Sequence, residues 1–316
     1  MDGKLKVPVP ASVTAWYLVP KALAADHARM IAIGCIDELN RGMIEHAECG
    51  LTVEVSSTLT NGESFQRPGF ASGRHFVSFR VSCRTGITAL HEWTARDLAA
   101  EFAAEWKVTA IADACAGQWI SVDEARASLH AKENGTLRLS DWVRVAVVPA
   151  EGDRTVSLAT VGLRRYGLPE LRVADVPSWF TDAWSVVLTG LARRLHEDFM
   201  DAVFDATPAG EPPLRTQAPP VFEVPAEIVL SEADVAAAYC LRSRADTHGS
   251  LIGLGLDQDA AGTVVTVRPP GGWARSPRDF LESLAVGPLK SVLKAAQMFD
   301  DLVTGNADLE EFAARL

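Results

Sequence analysis

HFVSFRVSC, from His75 to Cys83, alternates its side chains without a break. Val77, Phe79, Val81 and Cys83 fall on one face, and Phe76, Ser78, Arg80 and Ser82 on the other. A period of two, rich in β-branched and aromatic residues, marks a strand that rests one face on a core. Upstream, LTVEVSS (Leu51–Ser57) alternates in the same way, so a second strand precedes it. VTAWYLV (Val13–Val19) is β-branched and aromatic and is stopped by Pro20, which predicts a third.

Between these strands the period changes. From Lys21 to about Arg41 the apolar positions Leu23, Met30, Ile31, Cys35 and Leu39 fall at helical spacing, and Gly42 closes the run. Helical spacing returns from about Leu90 to Trp106 through Leu98, Phe102 and Ala103, and VTAIADA (Val108–Ala114) reads as a strand. The order is β-α-β-β-α-β. That is the split arrangement of ferredoxin-like domains, so an α+β protein with a ferredoxin-like unit over about residues 13–115 is predicted.

An extension over about 116–205 follows. Ser121-Val-Asp-Glu124 is a capping box and starts a helix. Trp142–Pro149 and Thr155–Thr160 read as paired strands, Leu171–Val173 as a short strand, and Thr181–Phe204 as a long helix. Residues 206–225 hold Pro208, Pro212, Pro213, Pro219, Pro220 and Pro225. Such proline density predicts a semi-rigid linker and a domain boundary. Beyond it, residues 226–316 read as a small α/β domain. Ser231 and Ser276 cap its helices, and a hairpin turns at Ala261-Gly262.

With 48% hydrophobic and 22% charged residues in 316, the chain can bury a substantial core. Its net charge of −11 repels phosphate backbones and anionic membranes, and no basic stripe overrides that locally. Nucleic-acid and membrane partners are therefore not expected. The five cysteines are scattered without a C-x-x-C pair, which predicts free thiols in a reducing compartment. The first ten residues have no apolar signal region, and a cytoplasmic location is expected.

Few residues invite chemistry. No two of the seven histidines stand at H-x-x-x-H spacing, so neither a metal nor a cofactor is expected. On the long helix, Arg193 and Arg194 precede Glu197 and Asp198 by one turn and can pair with them. G-x-S-x-G and the phosphate-cradling glycine motifs are absent. The catalytic candidates are His75, Asp113 and Cys115 near strand ends, together with Glu170. The binding candidates lie on two loops. Arg67 and Arg74 flank Pro68-Gly69-Phe70, and Arg268-Pro-Pro-Gly-Gly-Trp273-Ala-Arg275 sets an aromatic between two guanidiniums.

The run Ala159-Thr-Val-Gly-Leu-Arg-Arg-Tyr-Gly-Leu-Pro-Glu-Leu-Arg-Val173 resembles a T-x-G-L…G-x-P-E-L pattern of uncharacterised bacterial domains. The resemblance extends over about residues 13–205 and implies no activity. Physically, Gly162 and Gly167 supply turns, while Glu170 accepts a neighbouring backbone bond or pairs with Arg164. The expected function is a binding or protein-interaction module without catalysis. The alternatives are a hydrolase or transferase built on Asp113 and His75, and a small-ligand sensor with a pocket near Trp273.

Overall fold

The computed structural model describes residues 3–22, 51–59, 75–86, 90–133, 139–149, 154–209, 218–238, 249–260 and 262–286. The helix expected over 21–41, the loop bearing Arg67 and Arg74, and the helices expected beyond residue 286 lie outside these described residues.

The protein is a mixed α+β structure. Its first sheet uses β2 (Ser12–Val19), β3 (Thr52–Leu59), β4 (His75–Arg84), β5 (Ala110–Asp113) and β6 (Gln118–Ser121), in the order β3-β4-β2-β5-β6. Every pairing in it is antiparallel. Tyr17 lies across from Phe79 on one side and from Asp113 on the other. The helix α1 (Leu90–Glu105) packs on β2, β4 and β5, with Phe102 5.3 Å from Phe79 between ring centres. The face of Val77, Phe79, Val81 and Cys83 is buried as its alternation predicts.

The capping box is formed. Ser121 N–H donates to Glu124 Oε2 at 2.7 Å and Glu124 N–H to Ser121 Oγ at 3.1 Å, opening α2 (Val122–Glu133) against α1. Strand β6 was not expected. It follows β5 through a turn in which Gly117 takes φ 63°, and so adds a hairpin at the sheet edge.

The second sheet has the order β11-β12-β13-β9-β8-β7. Its strands are β7 (Arg144–Pro149), β8 (Thr155–Val161), β9 (Glu170–Pro177), β11 (Glu227–Ser231), β12 (Gly249–Asp259) and β13 (Gly262–Arg268). The helix α3 (Thr181–Ala206) covers one face, and its Trp184, Val187, Leu188, Leu191 and Leu195 are buried. Two shorter helices, α4 (Glu232–Ala238) and α5 (Pro277–Val286), start at Ser231 and Ser276 caps as predicted. Trp184 Nε1 donates to the Leu281 carbonyl at 3.1 Å and ties α3 to α5.

The proline-rich stretch needs correction. Its last five residues are strand β10 (Val221–Pro225), paired antiparallel with β1 (Lys4–Pro8) near the start of the chain. Phe222 and Val224 face inward, and proline ends the strand rather than interrupting it. Among the described residues, strands beyond the stretch also form no sheet of their own. β13 pairs in parallel with β9, so segments from both sides of the prolines share the six-stranded sheet.

Candidate functional site

The sheets meet at a group of fully buried charges. Its foundation is the turn between β8 and β9, a 3-10 helix over Leu163–Tyr166 flanked by Gly162 and Gly167. Both glycines have positive φ, 123° and 82°. A Cβ on Gly162 would stand 2.5 Å from the Trp142 carbonyl oxygen, and one on Gly167 2.4 Å from Thr85 Cγ2. Glu170 caps this turn. Its carboxylate accepts the N–H groups of Gly162 (2.9 Å), Leu163 (3.2 Å) and Arg164 (3.4 Å) and the Thr160 hydroxyl (2.9 Å). Thr160 Oγ1 accepts Leu171 N–H in return, at 2.7 Å. The T-x-G-L…G-x-P-E-L run is therefore a turn-building unit, and it sends Arg165 inward.

Arg165 has no exposed side-chain surface. It makes a two-pronged contact with Asp113, at 2.7 and 2.8 Å, and donates to Glu92 Oε2 at 2.9 Å and to the Tyr17 hydroxyl at 3.3 Å. Tyr17 donates to Glu92 Oε2 at 3.1 Å and accepts Arg96 Nε at 3.1 Å. Arg96 lies 3.4 Å above the Trp142 ring centre and donates to the Asp141 carbonyl at 3.1 Å. His91 Nε2 is 2.8 Å from the Arg165 carbonyl oxygen. Two guanidiniums, the Asp113 carboxylate and the Glu92 carboxyl thus lie together out of water, where an uncompensated charge is costly.

Helix α1 accounts for this burial of charge. His91, Glu92 and Arg96 are buried together with Ala95, Leu98, Ala99, Phe102 and Ala103, so the helix is enclosed on more than its sheet side. Burial pushes the Glu92 carboxyl up to about 7, against the attraction of Arg165. It pushes the His91 imidazole down to about 4 and the Tyr17 hydroxyl well above its ordinary value. Burial opposes the charge of Arg165, yet Asp113 and Glu92 raise this guanidinium above its usual range. Four polar atoms around the cluster lack a hydrogen-bond partner: Glu92 Oε1, His91 Nδ1, Arg165 Nε and Tyr166 Oη.

No family model, curated protein or solved structure matches this chain. The residues themselves must therefore carry the reading.

Of the catalytic candidates, Asp113 is the central anion of the cluster, and its Oδ1 also accepts the N–H groups of Cys115 (3.0 Å) and Ala116 (2.9 Å). Cys115 shares that turn, with its sulfur 3.5 Å from the Thr14 carbonyl oxygen. Desolvation pushes its thiol up to about 12, outweighing the pull of Arg165. Its alkylation by iodoacetamide at pH 7.5, followed by peptide mass mapping, is expected to run about 10³-fold slower than that of free cysteine. A rate near that of the free amino acid would refute the raised thiol.

His75 is exposed at the start of β4, four residues from Phe79, which lies beside Tyr17. At ~3.3 Å per residue it stands about 13 Å along the strand from the Asp113 rung. Glu170 is occupied by the turn, and its expected partner Arg164 pairs with Asp259 at 3.4 Å instead.

Of the binding candidates, Arg268 donates to the Leu254 carbonyl through Nε (2.9 Å) and Nη2 (2.6 Å). Trp273 donates to the Ser276 carbonyl at 3.1 Å and meets Phe280 edge-on at 5.5 Å, and Arg275 is exposed. The aromatic thus packs onto α5. Arg193 and Arg194 pair with Glu197 (2.6 Å) and Asp198 (3.1 Å). Among the described residues no group of three His, Cys, Asp or Glu side chains is placed to hold a metal. No described helix is long and apolar enough to cross a membrane.

Proposed function

We propose that this chain is a binding or protein-interaction module without catalysis of its own. The observation that carries the reading is the edge strand β7. Val147 and Val148 point to opposite faces there and are 48% and 52% exposed, and Val145 to Pro149 hold no charged side chain. An uncharged edge with both faces open offers backbone donors and acceptors to an added strand. The occupation of Asp113, Glu170 and Cys115 by structural contacts supports the same reading. A hydrolase or transferase on Asp113 and His75 would have to close a separation of about 13 Å along a sheet.

One observation favours small-ligand sensing as the second reading. A shallow cavity of about 190 Å³ is lined by Pro8, Pro10, Arg164, Leu168, Pro169 and Thr263. Trp273, near which such a pocket was expected, is not part of its lining.

Three companion proposals rest on the same footing. The order β5-β2-β4-β3 is fourth-first-third-second in the chain order of those strands and antiparallel throughout, which supports a ferredoxin-like unit with β6 added at its edge. The free thiols Cys83 and Cys115 and the acidic charge support a cytoplasmic protein that avoids nucleic acid. The T-x-G-L…G-x-P-E-L run supports kinship with the uncharacterised bacterial domains.

The test is a native mass spectrum of the protein gently purified from its own cells, beside a Val147→Lys/Val148→Lys variant. A polypeptide held at fixed stoichiometry by the natural chain and lost from the variant supports the interaction reading. A small molecule bound without any polypeptide, or a partner retained by the variant, overturns it.

A further inference from the structure

The buried cluster joins parts of the molecule that share no strand. Tyr17, Glu92, Arg96 and Asp113 belong to the five-stranded sheet and its helix α1, while Arg165 arrives on the turn of the six-stranded sheet. Glu92 is where this joint is least well satisfied. One carboxylate oxygen accepts from both Arg165 and Tyr17, whereas the other, Oε1, has no hydrogen-bond partner at zero exposure. An ionised carboxylate held that way loses water on one side and gains no hydrogen bond there, His91 Nε2 standing 3.9 Å off. A protonated one carries less charge to desolvate.

We propose that the cluster is a proton-operated latch, in which a proton on Glu92 keeps the Gly162–Gly167 turn seated against α1 and β2 and its loss favours release. The groups facing Glu92 are Tyr17 on β2, His91 and Arg96 on α1, Asp113 and Cys115 at the end of β5, and Arg165 and Tyr166 on the turn. Asp113 opposes ionisation of Glu92, while Arg165 and Arg96 favour it without matching the cost of burial. In the seated state the carboxyl titrates at about 7, against an ordinary value of 4.5 once it meets water. A group raised by burial supports the buried state below its ordinary value and loses that support as pH climbs through the raised one. The seated-to-released ratio therefore falls with rising pH, on the order of 10-fold between pH 6 and pH 8 from Glu92 alone.

The histidines act in the opposite direction. His91, against the Arg165 carbonyl, and His196 on α3, 5.1 Å from the Tyr166 ring, are both lowered to about 4 by burial. Acid favours release through them, from the ordinary 6.5 downward. The contribution of Glu92 is isolated by comparison with Glu92→Gln, which leaves both histidines in place.

Amide exchange of residues 162–167, corrected for intrinsic rates, reads the opening constant at each pH in both proteins. The ratio of natural-chain to Glu92→Gln opening constants is expected to rise about 10-fold from pH 6 to pH 8. A ratio that stays constant overturns the latch. Should Glu92→Gln fail to fold, carbon NMR of the Glu92 carboxyl in the natural chain decides instead. A midpoint near neutrality that coincides with deprotection of the turn supports the proposal, and a midpoint below about 5 overturns it.

Discussion

Replacing Asp113 by asparagine is expected to destabilise the protein by about 3–5 kcal/mol, the cost of breaking a buried ion pair by removing one partner. The substitution is nearly isosteric, and its remaining carbonyl oxygen can still accept from Cys115 and Ala116 as Oδ1 does now. What it removes is the anion under Arg165, a side chain with no exposed surface. Two guanidiniums would then share Glu92 alone, which burial already disfavours as an anion. Urea unfolding followed by tryptophan fluorescence measures the effect, since Trp142 lies beneath Arg96 in the cluster. Arg126→Ala is the control. It breaks the exposed pair with Glu101, 2.8 Å apart at the surface, and is expected to cost less than about 1 kcal/mol. Equal losses from the two substitutions would show that the buried cluster adds no more than a surface pair.

Gly162→Ala should lower stability by about 3 kcal/mol, for two reasons that add. At φ 123° an L-residue is strained by about 1–3 kcal/mol. Its Cβ would also meet the Trp142 carbonyl oxygen at 2.5 Å, a backbone atom that no rotamer change can clear. Relief requires the turn to shift, and Arg165 rides on the turn. The second expectation is therefore that Gly162→Ala loosens the same cluster that Asp113→Asn breaks. In the double variant the two effects should fall short of their sum by 0.5 kcal/mol or more, as contacting residues do. Strict additivity would place the turn and the cluster in separate units.

Much of the fold could be read locally. The alternation of His75–Cys83, the Ser121–Glu124 box and the Ser276 cap each announce one element through a short-range pattern, and each element stands where it was expected. What escaped were features whose cause lies far along the chain. Residues 206–225 read as a linker because six prolines dominate them, yet Val221–Pro225 becomes a strand when Lys4–Pro8 supplies its partner. The parallel contact of β9 with β13 is equally invisible to local periodicity.

The site was half legible. Asp113 and Glu170 were singled out from their positions, and the turn-building part of Glu170 followed from its glycines. Arg165 was not singled out, because sequence neighbours reveal sign but not direction. Glu92 and Arg96 do stand one turn apart on α1. Such spacing usually marks a solvated ion pair, and only the enclosure of the helix turns it inward.

The pairing of β1 with β10 bears on how the chain is made. Lys4 and Glu223, joined at 2.9 Å, are 219 residues apart. At ~5–20 residues per second, the first strand waits on the order of 10–40 s on the ribosome for its partner. The edge of β9 waits less than half as long, until β13 has followed and Glu170 faces Val264. Through that interval two unpaired strand edges stand open to other nascent chains. An order of assembly in which a strand is fixed long after it is made leaves its backbone donors and acceptors unpaired in the interval.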